Sequence, residues 1–179
     1  ANFTWPVAII LDQEGNLYIS DEGTHRITVI SKDGEFLGKW GEYGKGHGQL
    51  NRPSGIAFDP EGNIYVSDTL NHRIQKFTKD GKFLSTWGRL GRGEGEFNMP
   101  WGIDVDEMGS VYVVDWRNDR VQKLDPEGRF IFEFGRSGSD NAEFDRPAGI
   151  TVDNDGDIYV ADLGNNRIQM FNSEGIYVQ

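Results

Sequence analysis

The stretch PSGIAFDPEGNIYVSDTLNHRIQKFTKDGKFLSTWG, residues 53–88, decides the fold. Gly55–Phe58 is a short apolar run ending in Asp59-Pro60-Glu61-Gly62, a turn with glycine where a positive φ is wanted. Ile64–Ser67 alternates as a strand, and Asp68-Thr69-Leu70-Asn71 connects it to a third, Arg73–Phe77. Lys79-Asp80-Gly81 turns that strand into a fourth, Phe83–Trp87, where period two puts Phe83, Ser85 and Trp87 on one face. No segment sustains a 3.6-residue apolar period, and β-branched and aromatic residues crowd the strand positions. Ile64 and Val66 face one way and Tyr65 the other, so this four-stranded antiparallel meander is apolar on both sides. Such a sheet needs a neighbour against each face.

The neighbours are in the same chain. Pro6, Pro53, Pro100 and Pro147 stand 47 residues apart, and the same interval links Gly15, Gly62, Gly109 and Gly156. It also links Tyr18, Tyr65, Tyr112 and Tyr159, the four Asp/Arg sets described below, and Gly34, Gly81, Gly128 and Gly175. Four tandem units follow, at approximately 3–49, 50–96, 97–143 and 144–179. Two-faced sheets stacked radially make a β-propeller, so the expected fold is all-β, four blades of four-stranded antiparallel sheet in one segment.

Pro-x-Gly-Ile, Asp-x-x-Gly-x-Ile-Tyr-Val-x-Asp, Asn-His-Arg-Ile-Gln, Gly-x-Phe and Trp-Gly together resemble the NHL repeat, clearest over Pro53–Gly88 with Asn71-His72-Arg73 at the naming position. The other copies carry Thr24-His25-Arg26, Asn118-Asp119-Arg120 and Asn165-Asn166-Arg167, and the glycine-rich connector Trp87–Phe97 fits as well. The resemblance implies a propeller, usually of six blades, used mostly as a binding platform. Some six-bladed relatives are lactonases or amidating lyases with a metal or charged cluster at the channel mouth, and some bind RNA.

The chain holds 3.8 periods of 47 residues, so an incomplete part of a six-bladed ring is the preferred reading. It opens at Phe3-Thr4-Trp5-Pro6, just before an innermost strand, and closes at Ile176–Gln179, inside an outermost one. The alternatives are an arc completed by another chain and a closed four-blade ring. An open arc leaves two blade faces wet, which favours self-association through the terminal blades.

Composition narrows the partners. A net charge of −11 argues against a nucleic-acid backbone, and the absence of cysteine removes disulfides, thiolate metal sites and cysteine nucleophiles. No apolar run reaches the ~20 residues of a membrane span, and no charged-then-apolar leader opens the chain. The expectation is a soluble chain of unassigned compartment; Asn2-Phe3-Thr4 fits a glycosylation acceptor, which means nothing without a secretory route.

In a repeat array, positions common to all copies serve architecture, and function is sought where the copies disagree. Asp21/Arg26, Asp68/Arg73, Asp115/Arg120 and Asp162/Arg167 recur four times, and a carboxylate at one strand end can pair with the guanidinium that starts the next. A catalytic site has no reason to be printed in every blade. His25 and His72 share a slot with Asp119 and Asn166, which suits loop stabilisation better than metal ligation, and His47 in a glycine-rich connector reads as solvated. Asp153, Asp155 and Asp157 begin like a calcium loop, yet that slot elsewhere is a hairpin turn and no glutamate follows at EF-hand distance. No nucleophile elbow, phosphate-cradling glycine motif or His-Glu-x-x-His is present, and no cofactor or metal is expected.

The variable positions near the channel mouth are Val7, Ser54, Trp101 and Ala148, with Glu22, Thr69, Trp116 and Leu163 in the adjacent loop. Trp101 and Trp116-Arg117 set the third copy apart, and Trp5, Arg52, Met99 and Arg146 precede the repeated prolines on the same side. Tryptophan and arginine dominate interface hot spots, so the expectation is a non-catalytic module binding a protein or peptide through this loop face. The competing structural explanation is that Trp101 and Trp116 pack on each other or on a neighbouring blade. The alternative functions are part of a metal-dependent lyase or lactonase whose ligands lie partly in blades absent here, and a structural or sensor ectodomain of a larger protein.

Overall fold

Short apolar strands separated by aspartate-led turns form four antiparallel sheets in the computed structural model, which describes residues 2–179. The first sheet is β1 (Pro6–Leu11), β2 (Leu17–Asp21), β3 (Arg26–Ile30) and β4 (Phe36–Trp40). The second is β5 (Pro53–Phe58), β6 (Ile64–Asp68), β7 (Arg73–Phe77) and β8 (Phe83–Trp87). The third is β9 (Pro100–Val105), β10 (Val111–Asp115), β11 (Arg120–Leu124) and β12 (Phe130–Phe134). The fourth has three strands, β13 (Pro147–Val152), β14 (Ile158–Asp162) and β15 (Arg167–Phe171), rather than the four of the other blades. Beside β15, Tyr177 bridges to Phe171 and the Val178 amide donates to the Met170 carbonyl at 2.8 Å. A single 3-10 turn joins second to third strands at Thr69–Asn71, Trp116–Asn118 and Leu163–Asn165.

The first hairpin of each blade is closed by its aspartate. Asp59 Oδ1 accepts the amides of Glu61 and Asn63 at 3.0 and 2.8 Å, while Gly62 sits at φ 82°. Asp153 does the same with the amides of Asp155 and Asp157 at 3.0 and 2.9 Å, so the calcium-like stretch takes the turn geometry of its counterparts.

One sequence expectation fails at the outermost strand. Phe83 packs between the first and second blades, whereas Trp87 packs between the second and third. The pairing passes from Phe77↔Phe83 to Lys76↔Ser85, a β-bulge whose extra residue reverses side-chain parity. β4 and β12 carry the same irregularity. Each outermost strand thereby serves two interfaces.

The blades meet face to face. Tyr18, Ile27 and Val29 of the first press on Ile56, Ile64, Val66 and Phe77 of the second, with Leu50 sealing the seam. Tyr65 and Ile74 meet the third blade around Phe97, and Tyr112, Val114 and Val121 meet the fourth around Phe144. The innermost strands pack in the order β1, β5, β9, β13; among the described residues β1 makes no comparable packing with β13. Backbones come so close there that a Cβ on Gly55 would lie 2.3 Å from the Trp101 carbonyl oxygen.

A buried polar joint holds each connector. Asp68 accepts the Asn51 amide at 2.6 Å, Asn71 Nδ2 at 2.9 Å and Arg73 Nε at 2.7 Å. Asn71, Arg73 and Gln75 reach on to the carbonyls of Gly44, Gly46 and Gln49, tying the preceding connector to this blade. Asp115/Arg120 and Asp162/Arg167 repeat the joint at 2.9 and 2.8 Å. The first copy departs: Asp21 and Arg26 form no ion pair, and Arg26 Nη2 donates to the Asn2 carbonyl instead. Thr24 and Thr28 replace the longer Asn and Gln, and their hydroxyls, with Arg26 Nε, are buried without partners. Asp21 accepts four amides, of Thr4, Trp5, Gly23 and Thr24. Burial pushes its carboxyl upward, but those four donors win and hold it below the usual carboxylate range.

Three outcomes follow. Gly55→Ala should cost about 1–3 kcal/mol by wedging the blades apart, lowering Tm in a thermal melt. Gly38→Ala, where nothing lies within 4 Å, should leave Tm unaltered; equal losses would refute the close-approach argument. Asp68→Ala removes a fully buried carboxylate from half-buried Arg73 and should cost about 3 kcal/mol, read from the urea midpoint. Asp59, whose carboxyl burial raises but Lys76 and Asn63 bring below normal, behaves with Asp21 as a depressed acid. Their contribution is present above the unfolded value near ~4 and is lost as pH falls through the lower folded values, so urea midpoints should drop below that pH.

Candidate binding site

The loop between second and third strands and the residues before each innermost strand form one rim. Its backbone is fixed by unusual conformations. His25, His72, Asp119 and Asn166 all sit at φ between 52° and 56°, ending the loop in the left-handed region. Three of these side chains pay for the strain across the blade boundary: His25 Nδ1 accepts the Arg52 amide at 3.0 Å, His72 Nδ1 the Met99 amide at 3.1 Å, and Asp119 Oδ1 the Arg146 amide at 2.8 Å. Burial pushes His72 below the ordinary imidazole value against the pull of Asp115 and Asp68, in keeping with a neutral acceptor. Arg52, Met99 and Arg146 are themselves left-handed, at φ 55°, 59° and 51°. Their main chains belong to the architecture, so only their side chains vary with the copy.

Those side chains divide into clusters. Arg52 donates through Nε and Nη2 to Glu22 Oε2 at 2.9 and 2.6 Å, and its guanidinium lies 5.0 Å from the ring centre of Trp5. Glu22 is only 3% exposed, while Trp5 is 60% exposed. Trp101 and Trp116 meet at 5.2 Å between ring centres with planes 56° apart, and Arg117 lies 4.5 Å over Trp116. Both tryptophans are half-buried and Arg117 is exposed. Arg146 pairs with Asp145 beside it at 2.9 Å, and Met99 is half-buried. The tryptophans therefore do pack on each other, yet keep part of their surface in solvent.

Inside the rim, Val7, Trp101 and Ala148 line a depression of about 370 Å³ walled by the four innermost strands. Ser54 turns away, bonding Thr69 at 2.7 Å and the Trp101 carbonyl at 3.1 Å, which makes that pair a blade-to-blade link. Two features escaped the sequence reading. The Glu22–Arg52 pair was legible as an acid and a base that occur together at a spacing of 30 residues, a slot pair held by Thr69/Met99 and Trp116/Arg146 in later copies. Asp104, in a slot occupied by Ile10, Ala57 and Thr151, accepts from Thr151 Oγ1 at 3.0 Å and the Val152 amide at 2.8 Å, so its carboxylate joins β9 to β13. His47 is exposed, as expected, with its ring stacked on Phe83 at 4.5 Å between centres. Among the described residues no three His, Cys, Asp or Glu side chains are grouped to hold a metal ion, and no helix is long and apolar enough to cross a membrane.

The family model of the NHL repeat matches residues 50–77, 97–124 and 144–171. A 51-residue stretch is 40% identical to the RING finger protein nhl-1 of Caenorhabditis elegans, covering 28% of this chain and 5% of that protein. Among solved structures, virginiamycin B lyase from Staphylococcus aureus superposes with a TM-score of 0.73 at 21% identity, over 97% of this chain and 54% of the lyase. A structure of the nidogen/laminin complex gives 0.72 at 21% identity, over 95% and 61%. The chain thus spans little more than half of these structures, and the likeness is one of fold, shared by an enzyme and by a protein complex. The NHL-repeat model thus matches three of the four copies at the 47-residue period, the first copy keeps the same register, and the four blades pack side by side as a β-propeller.

Proposed function

We propose that this chain is a non-catalytic binding module that takes a protein or peptide on its loop rim, centred on Trp101, Trp116 and Arg117. The observation that carries the reading is the tryptophan pair: large apolar area, held rigid by mutual packing, capped by an exposed guanidinium, in the copy that departs most from the repeat. Such rings offer contact area at low entropy cost, and the arginine adds a charged handle for a carbonyl or carboxylate. Trp5 on the same rim extends the platform, and Arg52 backs it while spending its charge on Glu22. That engagement leaves recognition rather than proton transfer as the chemistry these side chains offer. A chain of the nidogen/laminin complex shares this fold, which lends it a precedent for protein partners.

The experiment is selection of a displayed random-peptide library on the purified chain, followed by affinities for Trp116→Ala combined with Arg117→Ala. At least a tenfold rise in Kd is expected, with Tm nearly unchanged because Arg117 is exposed and Trp116 only half-buried. Peptides that bind the double variant as well as the parent would reject the rim. A large fall in Tm with binding intact would make the tryptophan pair a piece of core.

A further inference from the structure

We propose that the seam between the first and second blades binds an alkylammonium group, the charged end of a lysine side chain or of a free amine. The site lies at the hairpin end of the strands, away from the loop rim, and does not depend on the rim reading. The chain displays the recognition twice elsewhere, with its own lysines as the occupants.

In the second blade Lys76 stands opposite Tyr65, its ammonium 4.9 Å from the ring centre and 2.8 Å from Asp59 of the first hairpin. Burial pulls that ammonium down, but Asp59 and Tyr65 outweigh it and hold the amine above its ordinary value. In the third blade Lys123 lies 4.7 Å from the Tyr112 ring centre and 3.5 Å from Asp106. A carboxylate beside an aromatic ring thus cradles a cation in both. The first blade keeps the carboxylate and the ring, as Asp12 and Tyr18, but opposite Tyr18 it carries Val29. Valine has neither the stem nor the charge. Beside Val29 on β4 stands Gly38, where the later copies have Ser85 and Phe132.

These two small residues leave a cavity of about 360 Å³, walled by Tyr18, Val29, Gly38 and Trp40 of the first blade and by Lys79 and Asp80 of the second. That volume falls within the ~300–1,000 Å³ of small-ligand sites. A separate observation points to a polar ligand. Tyr18 is only 4% exposed, yet among the described residues its hydroxyl has no hydrogen-bond partner. The hydroxyls of Tyr65, Tyr112 and Tyr159 bond the Pro126 carbonyl, Asp106 and Asp153. Burial and the carboxylates of Asp12, Asp80 and Glu14 push the Tyr18 hydroxyl up, so it stays neutral and its oxygen can accept from an ammonium. Asp12 Oδ2 accepts Asn16 Nδ2 at 2.9 Å, whereas Asp59 Oδ2 takes both Asn63 and Lys76. At the mouth, Asp12, Glu14 and Asp80 outnumber Lys39 and Lys79, and Lys79 comes no nearer than 3.9 Å to Glu14.

The probes are butylammonium, which reproduces a lysine side chain, and acetyl-lysine amide, each titrated into the full chain. The readout is the Trp40 indole N–H in a proton–nitrogen correlation spectrum, identified with Trp40→Phe. A saturable shift with millimolar Kd is expected, with no response to neutral butanol. Tighter butylammonium names a free amine as the ligand, and tighter lysine amide names a side chain of a partner. Asp12→Asn keeps an oxygen for the turn amides but loses the charge, and should raise Kd at least tenfold with far-UV circular dichroism unchanged. Val29→Lys supplies the ammonium from within, so it should abolish amine binding and raise Tm by about 2–4 °C. Butanol binding as well as the amine, or amine binding unaltered in both variants, would overturn the proposal. So would a parent that binds neither probe; binding recovered in Lys79→Ala would then identify Lys79 as the occupant.

Discussion

Each blade is a sheet only a few strands wide with apolar side chains on both faces, and no single sheet can bury two faces by itself. That constraint governs the molecule. Tyr65 and Ile74 leave one side of the second blade while Ile64, Val66 and Phe77 leave the other, and every one of them is fully buried. At roughly 1.5–3 kcal/mol for each large apolar side chain removed from water, a seam of this kind outweighs any single hydrogen bond in the structure. The bulge in the outermost strand belongs to the same economy of faces: by reversing parity between Phe83 and Trp87 it lets one strand fill two seams.

Apolar faces are non-directional, so something else must set the order and spacing of the blades. The aspartate joints do this. A buried carboxylate gathers the amide that opens its own blade, an arginine and an asparagine, and those two then grip the carbonyls of the connector arriving from the blade before. Because the connector is held by its backbone, its side chains are free to vary, and glycine suits the close approach. The His or Asp at the loop end adds a second tie, accepting an amide from the next blade while its own backbone sits in the left-handed region. A rim held by such ties is a rigid frame on which Trp5, Trp101, Trp116 and Arg117 are displayed.

How much of this was legible varied with the kind of interaction. The strands, their turns and the stacking of two-faced sheets follow from residue types at a strict period, since alternation and turn chemistry are local. Arg73–Phe77 and Phe83–Trp87 were read with their observed bounds. The common face assigned to Phe83, Ser85 and Trp87 was wrong, because a bulge depends on how a strand sits against its partner. Pairing of Asp with Arg was readable as a repeated constellation, but its failure in the first copy was not. There Thr24 and Thr28 are too short to complete the joint, and Arg26 turns to Asn2. Glu22 and Arg52, in different blades, left only an acid and a base 30 residues apart as their trace, and docking of the blades turned that trace into an ion pair.

The sequence alone determined that the chain is a repeat of antiparallel meanders, which positions are common to all copies, and which stand out as candidates for recognition. Period and composition suffice for that, because each blade folds by the same local rules. Only the tertiary structure decided which standout residues are committed to neighbours and which remain available. Ser54 and Arg52 spend their polar groups across blade boundaries, whereas Arg117 and part of the tryptophan pair do not. It also revealed that the two terminal faces stay open within the chain, since burial there depends on what stands opposite a residue and not on what the residue is.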